Sequence, residues 1–231
     1  MSDRDLSLHE RVEDTRDQHS ITVREFELEE IKSHFDTSLE SIKKQFEIAD
    51  ELLQQGKIDE GKTIYRSQVV FLEGILDFYL HELTKYALYK MFKQEWTPSE
   101  KYKNFFVPMS EVEKALESSE SKAWFFEYVN KRISRDVYLS AELMRDQLNL
   151  IGIAFPQAMA VAFPGRNEQE SIKKGKMIIE ALYKRRNEIA HQNDMSHESA
   201  EQNDIDKAFV EECITNIETI VNVIHNIALS K

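Results

Sequence analysis

Cysteine is nearly missing from this chain: Cys213 is the only one among 231 residues. A single thiol excludes an internal disulfide, and no Cys/His set has zinc spacing. Glycine and proline are scarce as well, at six and four residues. So few turn residues predict long helices with short connections. No apolar run reaches the roughly 18 residues that a membrane-spanning helix needs. The opening Met1-Ser2-Asp3-Arg4-Asp5-Leu6 has no apolar stretch, so a secretory signal is not expected and the cytoplasm is the default location. A phosphate-binding glycine loop, a Ser–His–Asp order and a metal-spaced carboxylate set are all lacking, so neither cofactor nor metal is expected.

Acidic charge is what the chain has in excess. The net charge is −12, which disfavours a broad nucleic-acid surface. Its distribution is uneven. Residues 1–60 hold 17 acids and 8 bases, residues 187–231 hold 9 acids and 2 bases, and the segment between them is +4. Inside that segment Lys173, Lys174, Lys176, Lys184, Arg185 and Arg186 gather on one stretch, with Glu180 among them. This is either a small anion-binding strip or an ordinary solvated face.

The hydrophobic pattern divides the chain into helices. Residues 1–20 are charge-dense without periodicity and read as a mobile or frayed arm, with His9 and His19 solvated. The rest, 21–231, reads as one all-helical domain. Phe26 to Gln55 has apolar residues at helical spacing and ends at Gly56, with His34 on the surface. Glu60 to Gln94 is apolar nearly all round, with a kink expected at Gly74, and so is expected to be covered by several neighbours. Thr97 to Glu100 reads as a loop leading into a helix. Lys101 to Phe106 is aromatic and basic; a loop folded over the core is favoured there over a base-stacking surface. Ser110 is expected to cap a short helix that ends near Ser118. Helices follow around Trp124–Ile133 and over 137–150. Ile151 to Gly165, with two prolines and two glycines, reads as a structured loop. A helix from Glu168 to His191, a polar loop to Gln202 and a final helix over 206–229 complete the chain. Cys213 sits within the last apolar stripe and reads as a small buried hydrophobe rather than a nucleophile. His225 is off that stripe and is expected to be exposed.

The chemically informative stretch is Lys184-Arg185-Arg186-Asn187-Glu188-Ile189-Ala190-His191. At about 100° per residue, Ile178, Ile179, Leu182, Tyr183, Ile189 and Ala190 share one helical face. Arg186 projects from near the centre of that face and needs an acceptor. Asn187 and His191 lie one turn apart, so the amide can orient the imidazole. The plainer reading is that Arg and His cluster at a helix C-terminus because cations complement its dipole. On the long early helix, Glu73 and Asp77 stand one turn apart at the edge of the apolar stripe. They are expected either to meet Arg186 or to tilt outward toward bases such as Lys85. Asp194 and His197 follow the motif closely in sequence.

Arg186-Asn187 with His191 four residues on resembles the Arg-Asn-x-x-x-His signature of the HEPN superfamily of helical domains. The string Leu182 to His191 is most similar to the RiboL-PSP type, and the resemblance spans roughly Ile58 to Ala228. It implies an up-and-down helical bundle, here with an extended helical N-terminal arm. It also implies a metal-independent RNase whose Arg and His meet in a composite cleft of a symmetric homodimer. In that reading His191 transfers protons, Arg186 clamps the phosphate and Asn187 orients them. Glu73 and Asp77 support Arg186, and Lys184 and Arg185 contact RNA. Attack of the 2′-hydroxyl on the adjacent phosphate would leave a 2′,3′-cyclic phosphate and a 5′-hydroxyl. DNA lacks that hydroxyl and is not an expected substrate. Relatives of this type include toxins and anti-phage defence proteins, which implies an antitoxin or a defence-system partner. The acidic first 55 residues depart from a plain HEPN domain. The alternatives are a catalytically silent HEPN module that binds RNA, a nucleotide or a partner protein, and a helical adaptor unrelated to the family.

Overall fold

The computed structural model describes residues 24–117, 122–134, 136–196 and 198–231. The expected arm over 1–20, with His9 and His19, lies outside these residues, as do Ser118 and His197. The fold is all-α. Among the described residues there is no β-strand, and nine helices follow in order: α1 Leu28–Gln54, α2 Ile58–Phe92, α3 Glu100–Lys103, α4 Met109–Glu117, α5 Ala123–Ile133, α6 Ala141–Leu150, α7 Phe155–Ala162, α8 Glu168–Gln192 and α9 Lys207–Leu229.

The first two helices form an antiparallel pair joined through Gly56, whose φ of +76° suits glycine. Their contacts march in opposite directions along the chain. Gln68 donates to the Ile42 carbonyl at 2.8 Å. The Phe35 and Tyr79 rings meet edge-on at 5.7 Å, and Lys90 approaches Glu27. At Gly61 an added Cβ would sit 2.8 Å from the Leu53 side chain, so the pair closes tightly at this end.

The 35-residue α2 is the central helix, and it packs against α1, α5, α8 and α9. Val69, Leu72, Leu76, Leu80 and Leu83 are all buried along it. Truncating any of these leucines to alanine is worth about 2–5 kcal/mol. The helix is unbroken through Gly74. Its cover is incomplete there, because Phe71 and Phe78 remain 52% and 43% exposed on either side of that glycine. The near-continuous apolar pattern predicts more complete burial than the chain itself supplies.

Two segments and two single residues differ from the sequence expectation. The helix expected over 137–150 begins at Ala141, because the Ser140 hydroxyl accepts from Leu143 N and caps it there. Residues 136–139 are non-helical, which turns Val137 and Leu139 toward α8. The expected loop over 151–165 contains α7. Pro156 lies in the first turn of that helix, where its missing N–H costs nothing, so the residue read as a breaker is a starter. Gly175 accounts for the close approach of α7 and α8: a Cβ there would fall 2.2 Å from Met159 Sδ. His225 is buried rather than exposed, and that burial pulls its pKa down. Ser110 lies inside α4, one residue past its start, and does not precede it. His34 is exposed, as expected.

Candidate functional site

The motif lies on the last two turns of α8, and the way α8 is seated decides what the motif faces. Asn167 caps its start by accepting from Glu170 N at 2.9 Å. Ser171, Gly175, Ile179 and Leu182 are its buried residues. Glu180 leaves the helix to accept from Ala141 N at 2.8 Å, pinning the start of α6. Asn193, in the left-handed region at φ 51°, ends the helix. The final turns of α8 are thereby held against the middle of α2.

Between them opens a cleft of about 820 Å³, lined by Asp77, Val137, Leu139, Arg186, Asn187 and His191 among others. Arg186 meets the buried Glu73 of α2 beside it, with Nε 2.8 Å from Glu73 Oε2. The expected pairing of a motif arginine with the α2 carboxylates is therefore present. The N–H does not align with that oxygen, and neither Glu73 oxygen has a hydrogen bond. Glu73 is a poorly satisfied acid. Burial pushes its pKa up to about 7; Arg186 opposes that shift and Asp77 reinforces it. Arg186 is half-buried, with 29% of its side chain exposed into the cleft.

One turn along α2, the Asp77 pKa is also raised by burial, although His81 and a backbone hydrogen bond from Tyr138 oppose the shift. His81 lies with Nδ1 2.8 Å from the Asp77 carbonyl and Nε2 3.1 Å from the Asp136 carbonyl. The sequence reading missed His81. Its signal was present all the same, because Glu73, Asp77 and His81 recur every four residues and so share one face of a helix.

The orientation of Asn187 is a correction. Its Oδ1 accepts from Arg186 Nη1 at 2.8 Å, so the amide positions the guanidinium. Among the described residues no hydrogen bond links Asn187 to His191. The imidazole stands exposed on the cleft rim, in the last turn of α8.

The two basic residues before Arg186 go different ways. Lys184 is exposed on the cleft wall, with Glu188 at 3.8 Å. Arg185 faces away and is nearly enclosed. It forms a two-pronged pair with Asp194, with Nη2 2.8 Å from Oδ2, and donates to the Asp204 carbonyl at 2.9 Å. Asp194 is fully buried and also takes Arg66 Nε from α2 at 2.7 Å. The loop after the motif thus ties α8 to α2 through two arginines on one carboxylate. Sequence proximity suggested Asp194 as a neighbour of the motif, but not this clamp.

Cys213 on α9 is half-buried, and burial pushes its thiol up to about 12, which suits a packing residue. Among the described residues no group of three His, Cys, Asp or Glu could hold a metal ion. No helix of the described residues is long and apolar enough to cross a membrane. The cleft therefore offers one half-exposed guanidinium, one exposed imidazole and an exposed ammonium, backed by two acids of raised pKa. Such a set can clamp an anionic oxygen pair and move a proton beside it. Comparison of the chain with family models, curated proteins and solved structures returns no match.

Proposed function

We propose that this cleft binds an RNA phosphodiester and cleaves it without a metal, with Arg186 as phosphate clamp and His191 as proton-transfer group. The observation that carries the reading is the joint exposure of Arg186 and His191 in one cleft, with Arg186 aimed by Glu73 and Asn187. A guanidinium presents a planar fork to two phosphate oxygens and stabilises the charge that builds up as the 2′-hydroxyl attacks. An imidazole takes the hydroxyl proton or returns one to the leaving 5′-oxygen. The resemblance of Arg186-Asn187 and His191 to the HEPN signature supports the same chemistry.

One Arg186 and one His191 supply only half of an acid–base cycle. A symmetric homodimer that brings two clefts together would supply the second imidazole. In this reading Lys184 contacts the backbone of the RNA, whereas Arg185 is kept for Asp194. A toxin or defence role, with an antitoxin or partner protein, belongs to the same proposal and rests on the family resemblance alone.

A second reading has an observation of its own. His191 has no hydrogen bond to orient it among the described residues, as suits a module that binds RNA, a nucleotide or a protein without cutting. End-group chemistry separates the two. With labelled RNA in a chelator, an RNase of this type leaves 2′,3′-cyclic phosphates and spares strands with a 2′-deoxy sugar at each cut position. Cutting of the deoxy strands, or 3′-hydroxyl ends, would exclude this mechanism.

A further inference from the structure

A second hollow, of about 310 Å³, opens on the other side of Asp77, between α2 and α5. Asp77 lines both cavities, so the two are contiguous through one side chain. The wall of this hollow carries a buried ion pair. Lys85 Nζ donates to Glu82 Oε1 at 2.5 Å and to Asn130 Oδ1 at 3.2 Å. The two charged side chains are only 10% and 8% exposed, and both line the hollow. An ion pair so deep is costly unless its remaining donors and acceptors are used. An ammonium has three protons, and two are committed here. The Asn130 amide protons and the second Glu82 oxygen have no partner among the described residues. Phe78 forms one side of the hollow, with its ring 43% exposed. Gly74 forms the rim. It sits in mid-helix, where glycine is unfavourable, and an added Cβ would meet nothing within 4 Å of the protein. Nothing inside the chain requires a glycine there, and the position borders the opening of the hollow.

We propose that this hollow is a nucleobase pocket that selects guanine next to the phosphate held by Arg186. The inference rests on the RNA reading of the neighbouring cleft. The base stacks on Phe78, as unpaired RNA bases stack on aromatic side chains. Guanine is the base with two adjacent donors, N1–H and the 2-amino group, beside an acceptor, O6. A carboxylate accepts from the two donors, and an ammonium or amide donates to the acceptor. Glu82, Lys85 and Asn130 supply that order. Uracil places one donor between two acceptors. Adenine and cytosine each offer a single amino group beside an acceptor. Each of them leaves a donor or acceptor of this wall unmatched, which is how polar pockets discriminate.

The test uses the full chain and four mononucleotides, GMP, AMP, CMP and UMP, titrated by calorimetry. GMP is expected to bind at least tenfold tighter than the others. Phe78→Ala and Gly74→Leu are each expected to weaken GMP at least tenfold while keeping the helical circular dichroism, since both positions lie at the surface. Glu82→Gln should also lose the preference, but it disturbs a buried pair, so the two surface variants decide. Equal binding of the four nucleotides, no binding, or an unaltered Gly74→Leu would overturn the pocket. Mapping of cut sites separates this inference from the RNase reading. Cleavage without guanine bias at the cut defeats the pocket and leaves the RNase standing. Selective GMP binding without any cleavage does the reverse.

Discussion

Arg185 and Arg186 are neighbours in the chain and opposites in the fold. Arg185 gives its guanidinium to Asp194, a fully buried carboxylate that also takes Arg66 and receives the Asn203 amide. Arg186 meets Glu73, a buried carboxylate with no aligned hydrogen bond and a pKa near 7. One carboxylate is fully engaged, and the other is held in reserve. A buried carboxylate shared by two arginines holds helices in place. A half-exposed guanidinium beside an ill-satisfied acid keeps capacity for an incoming anion. About 100° of helical rotation separates a clamp from a site.

The largest effect that would break this contrast is expected at the clamp. Asp194→Ala leaves Arg66 and Arg185 without their shared partner, a loss of about 3–5 kcal/mol of stability. Thermal unfolding is the check, and an unchanged melting temperature would show that the clamp carries no weight. Next in size is Arg186→Ala, expected to lower RNA cleavage by about 10²–10³-fold, as loss of one charge-stabilising donor does elsewhere. Its melting temperature should stay close to that of the parent protein, which is the opposite signature to Asp194→Ala.

A smaller effect concerns pH. Folding raises the Glu73 pKa to about 7 from an ordinary 4.5, so the folded chain holds a proton that the unfolded chain has released. Stability must then fall as pH rises through that window. The same titration removes the Glu73 charge beside Arg186 below about pH 7, so RNA should bind more tightly there. In Glu73→Gln both slopes should flatten, as read by unfolding and by RNA anisotropy across pH 5–8. Persistence of both slopes in that variant would assign them to another group. The smallest effect belongs to Lys184. Its replacement by alanine should weaken RNA binding a fewfold and reduce the salt slope by about one phosphate contact.

Much of this was legible in the sequence, for reasons that also explain what was not. The meeting of Arg186 with Glu73 follows from helical periodicity, which put a cation on one apolar face and acids on another. Long elements such as α2, α8 and α9 were readable for the same reason. Periodicity could not reveal α7, because Pro156 stops a helix in most positions and begins one in its first turn. Nor could it reveal Asp194, whose role depends on a positive-φ turn that points it at Arg66, 128 residues away. The role of Asn187 was misread for a related reason. Helix spacing puts His191 within reach of the amide, but the adjacent Arg186 is reached first.

The central claim is that Arg186 and His191 form a working pair, and one assay addresses it directly. Labelled total RNA is incubated in a chelator with the parent protein, Arg186→Ala and His191→Ala, each matched for folded content and dimer mass. The account predicts cutting by the parent alone, with each variant reduced by about 10²-fold or more. Equal cutting by all three would contradict it and place the activity outside this cleft.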